Sequence, residues 1–166
     1  MVGPLVEAVR TALQGAGDAD RAAGMQAYLK TTEPCLGVRL PAVRALTEAA
    51  AREHPPATAA DAGQAAAQLW REAAHREERH AAIALTGVRP ARGALELLPL
   101  HEEMITTGAW WDLVDGVSGR VRELVADHPA ELAPVVRAWA VSPDRWLRRS
   151  ALIAQVGAKD LSLIHI

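Results

Sequence analysis

Apolar positions along this chain recur at helical spacing and are cut at short intervals by Gly and Pro breakers. Pro4–Leu13 reads as a first helix, stopped by Gly15-Ala16-Gly17. Asp18–Lys30 is the second, with Met25, Tyr28 and Leu29 on one stripe. Thr31–Leu40 reads as a loop holding Pro34, Cys35 and Gly37. Pro41 then opens a helix in which Val43, Leu46 and Ala50 keep helical spacing, until His54-Pro55-Pro56 ends it. Asp61–Ala74 and His75–Thr86 form a pair, and Arg89-Pro90 breaks the chain. Ala94–Thr106 follows, with Gly108 as its expected C′ residue. The next helix spans about Ala109–Ala126, and His128-Pro129 starts another. Ser142-Pro143-Asp144 predicts a Ser N-cap, a Pro at N1 and an acid in the first turn of a last helix. That helix carries Trp146, Leu147, Leu152, Ile153 and Val156.

The expectation is therefore an all-α chain of about nine helices with short links. Contiguous helix pairs of about 35–40 residues have the size of a HEAT-like repeat. Without a crisp repeated motif, periodicity alone leaves α-solenoid and bundle both open.

Composition narrows this modestly. At 166 residues, half of them apolar, the chain suits one domain with a real core. Ala, Leu, Arg and Glu dominate, and all favour helices. A net charge of −2 does not announce a nucleic-acid binder. The single Cys35 excludes an internal disulfide and suits a reducing compartment. No signal peptide or membrane span is read, and a cytoplasmic protein is expected.

The chemistry concentrates in Trp110-Trp111-Asp112-Leu113-Val114-Asp115, two indoles and two carboxylates in six residues of a chain with five Trp and no Phe. At 100° per residue, Trp111 and Asp115 share a helix face, as do Asp112 and Asp115. A flat apolar plate beside a carboxylate suits a flat, cationic, aromatic-sized ligand. The plainer reading packs one Trp in the core and gives Asp112 to the helix N-terminus. After Asp115 come Arg120, Arg122, Arg137, Arg145, Arg148 and Arg149, interleaved with Glu123, Asp127, Glu131 and Asp144. Any one of these Arg could be a solvated ion-pair partner. Arg148-Arg149, in a Trp-bearing helix, is the best candidate for phosphate contact. Trp70 and Trp139 read as core residues. His75 and His80 are five apart and cannot chelate one metal from one face, and His101-Glu102-Glu103 lacks the second His of a zincin. No metal or cofactor is expected.

Three motifs in order carry a resemblance. Met25-Gln-Ala-Tyr28-Leu-Lys30 is followed by Leu36-Gly37-Val38 and Pro41-x-x-Arg44. Trp110-Trp111-Asp112-x-Val114-Asp115 is central. Trp139 precedes Trp146-Leu147-x-Arg149. Together they resemble the alkylpurine DNA glycosylases built of HEAT-like repeats, the DNA alkylation repair enzyme family, from about Leu5 to Gly157. The resemblance implies an α-solenoid of stacked antiparallel helix pairs that binds duplex DNA on a concave surface. It implies excision of cationic alkylated purines, such as 3-methyladenine and 7-methylguanine, without flipping the lesion into a deep pocket. It places the catalytic carboxylate on Asp115, the partner indole on Trp111, the Arg near the backbone on Arg149 and the family's N-terminal Tyr on Tyr28; Arg148 and Trp110 are added beside them as candidate DNA contacts. Tyr28 could equally be a core residue with a wet hydroxyl. A helix N-terminus is expected to help keep Asp115 ionised. A monomer is expected. A non-catalytic HEAT-like scaffold binding DNA or protein is the rival reading. An Asp115 exposed at the base of an open groove favours the enzyme, and an Asp115 buried and spent on backbone N–H groups favours the scaffold.

The family completes its groove with further C-terminal helices that carry another aromatic. This chain is therefore expected to be an incomplete repair domain over residues 1–160, with residues 161–166 a non-native tail. Ile153 and Val156 are expected to be exposed where a following helix would cover them.

Overall fold

The computed structural model describes residues 3–156. Among them are nine α-helices: α1 (Gly3–Gly15), α2 (Ala19–Leu29), α3 (Leu40–Glu53), α4 (Ala59–Arg71), α5 (Arg76–Leu85), α6 (Leu98–Gly108), α7 (Trp111–Asp127), α8 (Pro129–Ala140) and α9 (Arg145–Ile153). One 3-10 turn, Leu95–Leu97, precedes α6. No strand occurs among the described residues, so the fold is all-α as the periodicity predicts. None of these helices is long and apolar enough to cross a membrane.

Two compact units divide the chain at Ala91/Arg92. In the first, α4 packs on α5 while the alternate helices α1, α3 and α5 lie side by side. In the second, α8 packs on α7 and α9, and the alternate helices α7 and α9 touch directly. Packing of neighbours and of alternates is what stacked helical hairpins produce. The first core is built from Val6, Val9, Leu13, Val43, Leu69, Trp70 and Leu85, the second from Met104, Ile105, Leu113, Val117, Leu124 and Leu132. Trp70 and Trp139 are core residues, as expected.

Local chemistry sets the boundaries. Asp18 caps α2 by accepting from the Arg21 N–H at 3.0 Å. Thr58 and Asp61 form a capping box that starts α4 at Ala59, two residues before the expected Asp61. Three further expectations are corrected. Ala94–Thr106 is not one helix: a 3-10 turn covers Leu95–Leu97 and α6 starts at Leu98, with Pro99, which lacks an N–H, in the first turn that suits it. Gly108 is not the left-handed residue after α6: it stays helical, and Ala109 turns left-handed at φ 42°, its N–H bonding to the Ile105 carbonyl at 3.2 Å. Ser142 is not the N-cap of the last helix. Asp144 is, accepting from the Trp146 and Leu147 N–H groups at 2.7 and 3.1 Å, while Ser142 Oγ accepts from Asp144 N–H.

The charged run at the start of α5 is structural. Glu77 is only 1% exposed, and its carboxylate accepts from the backbone N–H groups of Leu36, Gly37 and Val38 at 2.9, 2.8 and 3.1 Å. Gly37 makes this possible. Its φ is +84°, and a Cβ there would stand 2.1 Å from the Asp18 carbonyl oxygen. The Leu36-Gly37-Val38 motif is thus a backbone nest closed by a buried acid. Arg76 donates to Glu33 at 2.8 Å, and Glu78 accepts from Arg10 Nε at 3.0 Å, tying the same turn to the preceding loop and to α1.

In α9, Leu147, Ser150, Ala151 and Ala154 line the buried side. Val156 is exposed, as expected. Ile153 is half-buried rather than exposed, and Arg122 donates to its carbonyl at 3.0 Å; Leu152 is exposed instead. Residues 157–166, including the expected tail, lie outside the described residues.

Candidate active site

The Trp-Trp-Asp sequence sits where α6 hands over to α7. Left-handed Ala109 reverses the chain. Trp110 is then extended (φ −148°, ψ 147°), and its carbonyl accepts the first helical bond of α7, from Val114 N–H at 3.0 Å. Trp111 is the first helical residue and remains 37% exposed. Asp112 lies in the first turn, where an acid suits the helix dipole. Leu113, Val114, Val117, Ser118 and Val121 form the buried stripe of α7. Asp115, one turn after Trp111, sits at the margin of that stripe, its side chain 36% exposed.

The partner of Asp115 comes from α9. Arg149 Nε donates to Oδ1 at 2.7 Å and Nη2 to Oδ2 at 2.8 Å, a side-on bidentate pair between residues 34 apart in sequence. The hydrogen bond to Asp115 raises the Arg149 pKa above its ordinary value. Partial desolvation opposes the shift and the charge of the same carboxylate adds to it. The expected help from a helix N-terminus is corrected. Asp115 is the fifth residue of α7, past the open N–H groups of the first turn, and the guanidinium is what compensates its charge.

The starts of α7 and α9 also bring aromatic and cationic side chains together. The Trp110 and Trp146 rings lie 6.3 Å apart, tilted by 47°. The Arg145 guanidinium stands 5.1 Å over the Trp146 ring. Arg148 is exposed, but its Nη1 donates to the Ser142 and Pro143 carbonyls at 2.6 and 2.9 Å, bracing the turn that precedes α9. The second unit thus holds five of the six candidate residues: Trp110, Trp111, Asp115, Arg148 and Arg149. Tyr28 belongs to the first unit, on α2, where it is 74% exposed, so it is not a core residue.

Sequence reasoning missed the Asp115–Arg149 pair, which no local spacing rule announces, and Trp146 with Arg145 as neighbours of Trp110. It also missed His101 on α6, a buried imidazole with no hydrogen-bond partner for either ring nitrogen among the described residues. Burial, then the Arg120 charge, pushes its pKa down to about 4. Among the described residues, no group of three or more His, Cys, Asp or Glu is placed to hold a metal ion.

An exposed carboxylate with a fixed cationic partner, one helical turn after an exposed indole, can stabilise positive charge and orient water. A family model described as DNA alkylation repair enzyme matches residues 9–164, nearly the whole chain. The chain belongs to the DNA alkylation repair enzyme family, and at that level its role is DNA repair. No curated protein matches it.

Proposed function

We propose that this chain is an alkylpurine DNA glycosylase that hydrolyses the N-glycosidic bond of cationic purines, such as 3-methyladenine and 7-methylguanine, in duplex DNA. The observation that carries the reading is the state of Asp115. Its carboxylate is 36% exposed and held by a side-chain guanidinium, with no backbone N–H among its hydrogen-bond partners in the described residues. Glu77, by contrast, is buried and spends its carboxylate on three backbone N–H groups.

The chemistry asks for little more. A cationic base leaves without strong protonation: the C1′–N bond breaks, its electron pair neutralises the ring, and the sugar gains oxocarbenium character. Asp115 stabilises that charge and takes the proton of the water that bonds to C1′. The Trp111 indole offers a face to the cation, worth about 0.5–2 kcal/mol. Arg149 has five N–H donors and commits two to Asp115, so it can hold the carboxylate while turning others to a backbone phosphate. Arg148, Trp110 and Tyr28 complete the DNA contacts in this reading, and Asp115 is the catalytic residue.

The direct test is release of 3-methyladenine from methylated duplex DNA by this chain, with Asp115→Asn as control. Release that the control lacks supports the reading. Tight duplex binding without release turns the assignment to the scaffold class.

A further inference from the structure

Polar contacts that join α7 to α9 include Asp115 with Arg149, Ser118 with Ser150, and Arg122 with the Ile153 carbonyl. Residue numbers rise together on both helices, so α7 and α9 run parallel along this seam. Positions 115, 118 and 122 fall on one face of α7. The middle contact differs from the other two. Ser118 and Ser150 are each 0% exposed, whereas the flanking pairs reach solvent. Ser118 Oγ lies 2.6 Å from the Val114 carbonyl and 3.0 Å from Ser150 Oγ. Each hydroxyl has one proton, so Ser118 gives its own to the nearer carbonyl and Ser150 supplies the one between them. Both hydroxyls are then satisfied in one register of α9 against α7. A slip of one residue would bury a hydroxyl without a partner.

Ser150 is the chain neighbour of Arg149, and Ser118 stands three residues after Asp115. A bidentate guanidinium–carboxylate pair needs both N–H···O lines aligned at once. We propose that Ser118 and Ser150 are positioning residues, whose buried hydrogen bond sets the register of the two helices and so holds Arg149 square on Asp115. This rests on Asp115 being the catalytic carboxylate. It adds that the orientation of that carboxylate is fixed from within the core as well as by the exposed pair.

The test uses Ser118→Ala/Ser150→Ala, which removes both partners and leaves no orphaned hydroxyl. Two readouts are taken: single-turnover excision alongside duplex affinity, and solvent exchange of the Arg149 Nε–H followed by proton–nitrogen NMR. The expected result is excision slowed by about tenfold or more, since small misplacements of a reacting group are costly. Duplex Kd should stay within about twofold, and Arg149 Nε–H exchange should be several times faster. Unchanged excision with unchanged exchange overturns the proposal, as does an equal fall in affinity and excision. If the double variant does not fold, Ser150→Ala serves, because Ser118 keeps its bond to Val114. If the native chain excises nothing, the glycosylase reading fails while the exchange measurement still decides whether the serines hold the pair.

Discussion

Arg149 is locked side-on to Asp115, with 2.7 and 2.8 Å hydrogen bonds bridging α9 to α7. The carboxylate read as catalytic is therefore held in one orientation by a cationic partner. Replacing Asp115 with Asn keeps the shape and one acceptor but removes the charge. Folding should persist, because the pair is more than one-third exposed and surface pairs contribute little to stability. Excision should fall by about a hundredfold or more, the usual scale for losing a positioned acid or base. Excision within threefold of the native rate would refute the catalytic role.

Arg149→Ala separates two roles of one side chain. A lost phosphate contact weakens binding to damaged and undamaged duplex alike and lowers the salt slope by about one counterion. A lost hold on Asp115 slows excision beyond the change in affinity. Both effects are expected together. A salt slope that does not move would remove the phosphate contact and leave only the positioning role. In that case the Arg145 guanidinium over Trp146 becomes the residue to test for that contact.

The helices were largely legible in the sequence because their limits are local. Asp18, Pro41 and Pro129 act on their own neighbours, and apolar spacing marks the buried stripes. The errors were local too: the Pro99 ring and left-handed Ala109 each moved a boundary. The central site was legible only as residues. Trp111 and Asp115 share a face by arithmetic, but Arg149 finds Asp115 through the packing of two helices, which no spacing rule contains. Glu77 and His101 were illegible for the same reason. A Glu in a charged run is expected in solvent, and only the turned loop at Gly37 brings three N–H groups to it.

Ala109 offers a simple check of the corrected boundary. A left-handed conformation costs an L-residue about 1–2 kcal/mol relative to its right-handed choice, and glycine avoids this. Ala109→Gly should stabilise the fold, by up to about 1 kcal/mol once the added freedom of the unfolded chain is deducted. Chemical denaturation would read this as a higher midpoint at unchanged m-value. A lower midpoint would mean that the Ala109 methyl contributes more by packing than its backbone loses.

Glu77 should be among the least replaceable acids in the chain. Glu77→Ala strands three N–H groups in a buried loop, each costing about 1–3 kcal/mol. Gly37→Ala should be comparably harmful, since its Cβ would collide with the Asp18 carbonyl. Melting temperatures of both variants check this. A fall of only a degree or two for either would mean that the loop reorganises cheaply, against the geometry of the nest.

His101 predicts the pH dependence of stability. The ordinary histidine pKa is about 6.5 in the unfolded chain, and burial lowers it to about 4 in the fold. Between those values the unfolded state binds the proton and the folded state does not. Stability is therefore full above about pH 6.5 and falls as the pH drops toward 4, by about 3 kcal/mol in all. Below pH 4 this group adds no further loss. His101→Leu tests the source, because it fills a similar volume with no titrating group, and neither ring nitrogen has a hydrogen bond to lose among the described residues. The variant should be at least as stable as the native chain at pH 7, and its stability should decline less between pH 6.5 and 4. Denaturant titrations at four or five pH values across that window decide the matter. Parallel curves for the two proteins would show that other groups, not His101, set the acid sensitivity.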